Sequence, residues 1–386
     1  MNPFKQLYKL LSSYGLAVVL FILLFFLILF GTFYQIDNGL FAAQKNYFES
    51  IYVVHRVGPV AIPLPGGYTL LALFAVAIVG GMLRIRRTWE RAGLLLAHFG
   101  VLFMIASSAI TFHFSDRGHM RLYPQQQSDE FSSYHDWNIE IGKPAAGAEL
   151  HLISDAQFKD LAGDRSREFF AADLPFEISV SGYANNAVPV RENIAVEGAD
   201  PRVVDGFKLF TLPNEKEQET NIPGLYVTVK DKATGESTQS ILWGLDREPF
   251  TVKSGDVFYT VGLDRKRFRA PFTLHLDEFK AEFHPGTTMA SAFESHVTKK
   301  ENGTEEKINI YMNHPLRHHG LTFFQASYGP PDARPGDMMY TVFEVVRNPA
   351  DQGPLVACII VGIGLLVHFT QKLLGYMRAE SRRRVA

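Results

Sequence analysis

The sequence predicts a membrane protein: four transmembrane α-helices with a large, mostly antiparallel β domain, extracytoplasmic, between helices three and four. Three observations lead there. Four apolar stretches approach or exceed the ~20 residues that a bilayer core requires. Charge is segregated along the 386 residues: 115–352 hold 25 Lys+Arg against 36 Asp+Glu, net −11, whereas the two ends together hold 13 against 4, net +9. Finally, the acidic middle alternates apolar and polar residues with the period of two that marks half-buried strands. The expected domains are 1–114 (an interfacial helix and three spans), 115–352 (the β-rich domain) and 353–386 (the fourth span and a basic tail).

Along the chain, residues 2–13 place Phe4, Leu7, Tyr8, Leu10 and Leu11 beside Lys5 and Lys9, an amphipathic helix suited to the inner membrane interface. The first span covers 16–33. No small-residue cleavage site follows it, the chain continuing Gly31-Thr-Phe-Tyr-Gln35, so a retained N-terminus is expected rather than a signal peptide. The second span, 68–83, is short, but Gly66, Gly67 and the Pro-rich stretch before them extend its uncharged length. Spans three and four cover 92–114 and 353–371.

Lys5 and Lys9, then Arg84, Arg86, Arg87 and Arg91, then Lys372, Arg378, Arg382, Arg383 and Arg384 crowd one side of these spans, whereas the loop from Gln35 to Gly66 carries only Lys45 and Arg56. Cytoplasmic loops carry the Lys/Arg excess. Both termini of this multi-pass chain are therefore expected on the cytoplasmic side, with 115–352 outside.

In that middle region the clearest strands are Phe176-Glu-Ile-Ser-Val180, Leu225-Tyr-Val-Thr-Val229, Val257-Phe-Tyr-Thr-Val261, Phe272-Thr-Leu-His-Leu276, Ile308-Asn-Ile-Tyr-Met312 and Tyr340-Thr-Val-Phe-Glu-Val345. They suit a sandwich or open barrel. Residues 115–175 and 184–222, rich in polar residues, Gly and Pro, read as irregular connections. The basic island Asp264-Arg-Lys-Arg-Phe-Arg269 reads either as a solvated hairpin end or as a contact for lipid headgroups, a partner loop or haem propionates.

Composition excludes several chemistries. The single cysteine, Cys358, leaves no internal disulfide, Cys-x-x-Cys pair, Cys-rich zinc site or covalent c-type haem attachment motif. No basic domain is present to neutralise phosphates, so nucleic acid is not an expected partner.

Thirteen histidines remain, most of them in outer loops or strands. Alternation turns His275 away from Leu274 and Leu276, onto the face of Thr273 and Asp277. His314, His318 and His319 have metal-compatible spacing, but Pro315 and Gly320 make the segment a turn and no carboxylate or cysteine completes a ligand set. His98 and His368 differ because they fall inside apolar spans, where an ionisable group is costly and is by default a functional candidate. His98 stands seven residues past Arg91, about 10 Å along the helix, and His368 four residues before Lys372, about 6 Å from the same side. A neutral imidazole there suits an axial haem-iron ligand. An interhelical hydrogen bond is the other reading.

Several segments resemble the ResB family, the CcsB-like component of the system II cytochrome c biogenesis machinery. They are Gly31-Thr-Phe-Tyr-Gln35 with Ala43-Gln-Lys-Asn-Tyr-Phe-Glu-Ser50, Arg91-Ala-Gly-Leu-Leu-Leu-Ala-His98-Phe-Gly100, and a distal set: Phe272-Thr-Leu-His-Leu-Asp-Glu-Phe279, Phe293-Glu-Ser-His-Val297, Met312-Asn-His-Pro-Leu316 and Gly320-Leu-Thr-Phe-Phe-Gln-Ala-Ser-Tyr328. Residues 140–220 match weakly. The resemblance implies a non-catalytic or accessory subunit of a cytochrome c synthase, working in the lipid bilayer of a bacterial inner (cell) membrane with a CcsA-like haem-handling membrane protein. Together they move haem b, in transit rather than permanently bound, to apocytochrome c. The family's intramembrane histidine falls on His98; His368 has no family counterpart and stands only on its position in a span. Only Trp89, Trp137 and Trp243 are present, none clustered, so the tryptophan-rich half of such a synthase is not expected in this chain. Two other classes stay open: a haem b subunit of a quinone-linked oxidoreductase, and a membrane-anchored protein-binding or scaffold module without haem ligation.

Overall fold

A computed structural model describes residues 3–385 except 146–148, 195, 197, 199, 288–289, 331–332 and 335–336. The chain divides into two compact units, Met1–Ser115 with Asn348–Ala386, and Asp116–Arg347.

In the first unit, α1 (Pro3–Leu11) ends at a turn whose Ser13 caps α2 (Tyr14–Ala43), the Oγ accepting the Leu16 N–H at 3.1 Å. This meets one of the unsatisfied donors at a helix start. α2 runs ten residues past the expected end at Phe33, because Gln35, Asp37 and Asn38 are polar without breaking a helix. The break comes at Gly39, at φ +81°, and a wide helical turn at Gln44–Phe48 follows. The Pro-rich stretch is ordered as a hairpin, β1 (Tyr52–Val57) and β2 (Val60–Pro65), turning at Gly58 with φ +59°.

α3 (Gly67–Arg84), α4 (Ala92–Phe114) and α5 (Gly353–Val385) complete this unit. Among the described residues, four helices are long and apolar enough to cross a membrane. Leu20, Leu27 and Leu70 pack with Tyr47, Val53 and Leu64 in one buried cluster. α4 and α5 lie antiparallel along a seam of small residues, with Gly353 against Ser107 at one end and Gly93 against His368 at the other. A β-carbon on Gly93 would stand 2.4 Å from the His368 backbone nitrogen, and one on Gly364 2.5 Å from that of Ala97. Where lipid tails offer no hydrophobic drive, backbone approach of this kind holds helices together.

The second unit is antiparallel β throughout. Its strands are β3 (Asp116–Leu122), β4 (Gln127–Gly142), β5 (Leu150–Ser154), β6 (Ser166–Phe169), β7 (Phe176–Ala184), β8 (Ala187–Arg191), β9 (Phe207–Thr211), β10 (Gly224–Asp231), β11 (Ser237–Trp243), β12 (Phe250–Ser254), β13 (Val257–Phe283), β14 (Ala290–Glu301), β15 (Thr304–Tyr311), β16 (Leu316–His318), β17 (Leu321–Gly329) and β18 (Tyr340–Arg347). Six of these fall in 115–175 and 184–222, which the sequence presents as irregular. β3 and β4 are polar along much of their length yet lie inside the large sheet, where neighbouring strands satisfy the backbone on both sides.

The large sheet has the order β15-β14-β13-β4-β3-β18-β17-β16, with β12 also on β13 and β5 on β4. β15 and β16 stand at opposite ends of that order yet are joined by only four residues, 312–315, so the sheet curls back on itself. Ser295 on β14 accordingly reaches across to Gln325 on β17 at 2.6 Å and Thr341 on β18 at 3.0 Å. The curl encloses Phe131, Phe272, Leu274, Leu276, Phe323 and Phe343. The far halves of β4 and β13 contribute Trp137, Ile139, Ile141, Val261 and Leu263 to a second core, shared with the smaller sheet β11-β10-β7-β6.

Candidate functional site

On α4 the residues facing α5 are Gly93, Ala97 and Gly100, at the three- and four-residue spacing of one helix face. His98 follows Ala97, about 100° further round, and its ring is half-buried. Its Nδ1 lies 2.8 Å from the carbonyl oxygen of Leu94, one turn back. A carbonyl only accepts, so Nδ1 is the donor, and in the neutral ring Nε2 then keeps its lone pair. This is the state a metal-binding imidazole adopts, its second nitrogen fixed by a backbone acceptor.

His368 meets α4 at Gly93, five residues or about 7.5 Å below His98 along the helix. Side chains lean toward the N-terminus of their own helix, which in an antiparallel pair narrows that separation. No ring contact joins the two imidazoles among the described residues. The Nδ1 of His368 is buried without a partner there, as is the Oε1 of Gln371, one turn further along α5. Gln371 spends its amide on the Trp89 carbonyl at 2.6 Å. A lone glutamine at the edge of an apolar stretch gives no signal in the sequence; only packing shows the orphaned oxygen.

The β unit holds a cavity of about 630 Å³ lined by His119, Arg121, Tyr134, Trp137, Arg265 and Tyr340, among others. His119 is pushed down to about 4, by burial first and then by Arg265 and Arg121, so its ring is neutral at neutral pH, and its Nδ1 has no partner among the described residues. Burial, followed by Glu344 and Glu219, pushes Tyr134 up to about 12.

The basic island is not a hairpin end. It lies within β13, paired with β4, and its charges are largely engaged. Arg265 stacks on Trp137 at 4.6 Å and donates to the carbonyls of Tyr134 and Glu219. Arg267 pairs with Glu140 and Glu130, and Arg269 with Glu130. The partners come from β4, in the stretch that sequence reading left irregular, which is why the island looked unneutralised.

His275 faces Asp277, 2.9 Å away, as alternation requires. The histidine group in 314–319 needs a correction: a carboxylate does complete a set, from outside the segment. Glu301 lies 2.6 Å from His318 Nε2 and 2.7 Å from His319 Nε2, while His314 stacks on Tyr311 with ring centres 4.2 Å apart.

Comparison with known proteins bears on the region that carries these strands. Residues 226–338, from β10 to the approach of β18, match the ResB-like family. The chain carries a ResB-like region. The similarity to Protein NrfI of Wolinella succinogenes is broader and weaker, 21% identity over 366 residues, 94% of this chain and 35% of NrfI. The chain thus spans about a third of the length of that relative. The ResB-like region includes His275, His296, Glu301, His314, His318 and His319; His98 and His368 lie outside it.

Proposed function

We propose that this protein is a membrane component of a cytochrome c biogenesis complex that helps carry haem across the bilayer and present it to apocytochrome c. The ResB-like region and the similarity to NrfI support the cytochrome c biogenesis role. One observation carries the haem step: His98, within a membrane-length apolar helix, donates Nδ1–H to its own backbone, which leaves Nε2 as the nitrogen not used by that bond. Haem is the cargo, and His98 Nε2 is the atom that would take an axial iron position. His368, beside Gly93 with an unpartnered Nδ1, is the weaker second candidate.

The Lys/Arg distribution supports an orientation with both termini in the cytoplasm and Asp116–Arg347 outside. In this orientation His98 lies in the cytoplasmic half, where haem enters. The net −11 of 115–352 would favour encounter with a Lys-rich apocytochrome by raising its on-rate. Reporter fusions at Thr88 and Asn302 test the orientation and should report opposite sides of the membrane.

The cavity around His119 favours a second reading, an anchored module whose outer domain binds a ligand or protein and whose helices touch no haem. Haem spectroscopy of the purified chain, with and without a CcsA-like haem-handling partner, separates the two. Haem retained when the partner is present supports transit, whereas none under any condition leaves the anchored module.

A further inference from the structure

The two hairpins β14–β15 and β16–β17 turn through matching pairs of residues, Asn302-Gly303 at φ +48° and +77°, and His319-Gly320 at φ +48° and +73°. Two successive positive-φ residues make the tight turn that suits a strand twist. At the first turn the left-handed position is filled by the usual Asn; at the second it is filled by His. That turn sets His319 beside His318, ring centres 4.2 Å apart, with both Nε2 atoms on the two oxygens of Glu301 from the other hairpin. The donor atoms of all three residues lie within 4.8 Å of one another. Glu301 and His318 are mostly covered, at 19% and 28% side-chain exposure, while His319 is open to solvent at 52%.

We propose that Glu301, His318 and His319 form a binding site for a divalent metal ion of the zinc class. Two imidazoles and one carboxylate are a donor set that zinc accepts, leaving its remaining tetrahedral position for water or an outside ligand. Ligand bonds of about 2.0–2.2 Å put tetrahedral donors about 3.3 Å apart, a spacing between the 2.6 and 2.7 Å His–Glu contacts and the 4.8 Å within which all three donors lie. On binding, each Nε2 gives up its hydrogen bond to Glu301 and takes a metal bond instead, so the affinity depends on pH.

The site also has a mechanical consequence. β15 and β16 are the terminal strands of the curled sheet, and the three ligands come from their two hairpins, so a bound ion clips the sheet's ends together. The clip is independent of haem handling: its ligands lie in the β unit and its readout needs no haem.

The test uses the full, untagged chain in detergent, stripped of metal and titrated with Co²⁺, then with Zn²⁺ in competition. We expect one Co²⁺ per chain with the visible absorption of a four- or five-coordinate ion, displaced by Zn²⁺. His318→Ala, His319→Ala and Glu301→Gln should each lose at least about tenfold in affinity, the scale on which even supporting residues affect metal sites. His296→Ala, at a comparable His–Glu pair on β14, should bind as the parent does. Glu301→Gln preserves size and turn, and circular dichroism confirms that each variant is folded. Absence of stoichiometric Co²⁺ binding, or binding that survives all three folded variants, overturns the site and leaves a hydrogen-bonded ion pair.

Discussion

Histidines are held differently in the two units. In the β unit, five of them lean on carboxylates: His151 on Asp173, His275 on Asp277, His296 on Glu294, and His318 and His319 on Glu301. In the helical unit, His98 leans on its own backbone and His368 Nδ1 has no partner among the described residues. Each of these carboxylates lies 2.6–3.0 Å from its imidazole nitrogen. In an apolar helix an unpartnered polar ring is costly, and a bond from one ring nitrogen to the helix's own backbone lowers that cost.

The two units also cohere by opposite means, bulk in one and its absence in the other. Phe343 is fully buried in the curled sheet, and Phe343→Ala should cost about 3–5 kcal/mol, measured by denaturant unfolding of the full chain in detergent with tryptophan fluorescence. In the helical unit the sensitive change is addition. Gly364→Leu drives a side chain into the Ala97 backbone and should cost about 1–3 kcal/mol, seen as reduced protein in the membrane, whereas Gly362→Leu, whose β-carbon meets nothing within 4 Å, should be near neutral. Equal losses at both glycines would remove the seam as the basis of α4–α5 packing.

A smaller effect concerns pH. The folded pKa of His119, about 4, lies below the unfolded value near 6.5, so the unfolded chain takes up a proton first as the pH falls. Stability is unaffected by this group above pH 6.5 and declines from there toward pH 4. His119→Gln should flatten that limb, read as unfolding midpoints at pH 7, 6 and 5; an unchanged slope would place the loss elsewhere. Smallest of all, Lys300→Ala breaks an exposed 3.6 Å pair with Glu305 and should shift stability by no more than about 0.5 kcal/mol in the same assay.

How much of this the sequence carried depends on the range of the interaction involved. The four apolar helices and strands such as 176–180 and 272–276 are written in local periodicity, and their residues suffice to locate them. β3 and β4 were illegible because their polar faces lack alternation, and it is pairing with β13 and β18, far off in sequence, that makes them strands. For the same reason 264–269 looked like an exposed basic tip, although Glu130 and Glu140 neutralise it from more than 120 residues away. His98 and His368 stood out from their sequence context. The lone pair of His98 Nε2, the orphaned Gln371 oxygen and the Glu301 carboxylate between two histidines required coordinates, because each depends on what an adjacent turn or hairpin presents.

The proposal that His98 is a haem ligand in transit meets its most direct test in His98→Ala, coexpressed with a CcsA-like partner and purified as the complex. Haem content per complex and cytochrome c maturation should both fall while the amount of protein in the membrane stays constant. Added imidazole should partly restore both by occupying the vacated iron position. Normal haem content in the variant, or loss of the protein itself without imidazole rescue, would contradict ligation and make His98 a structural residue.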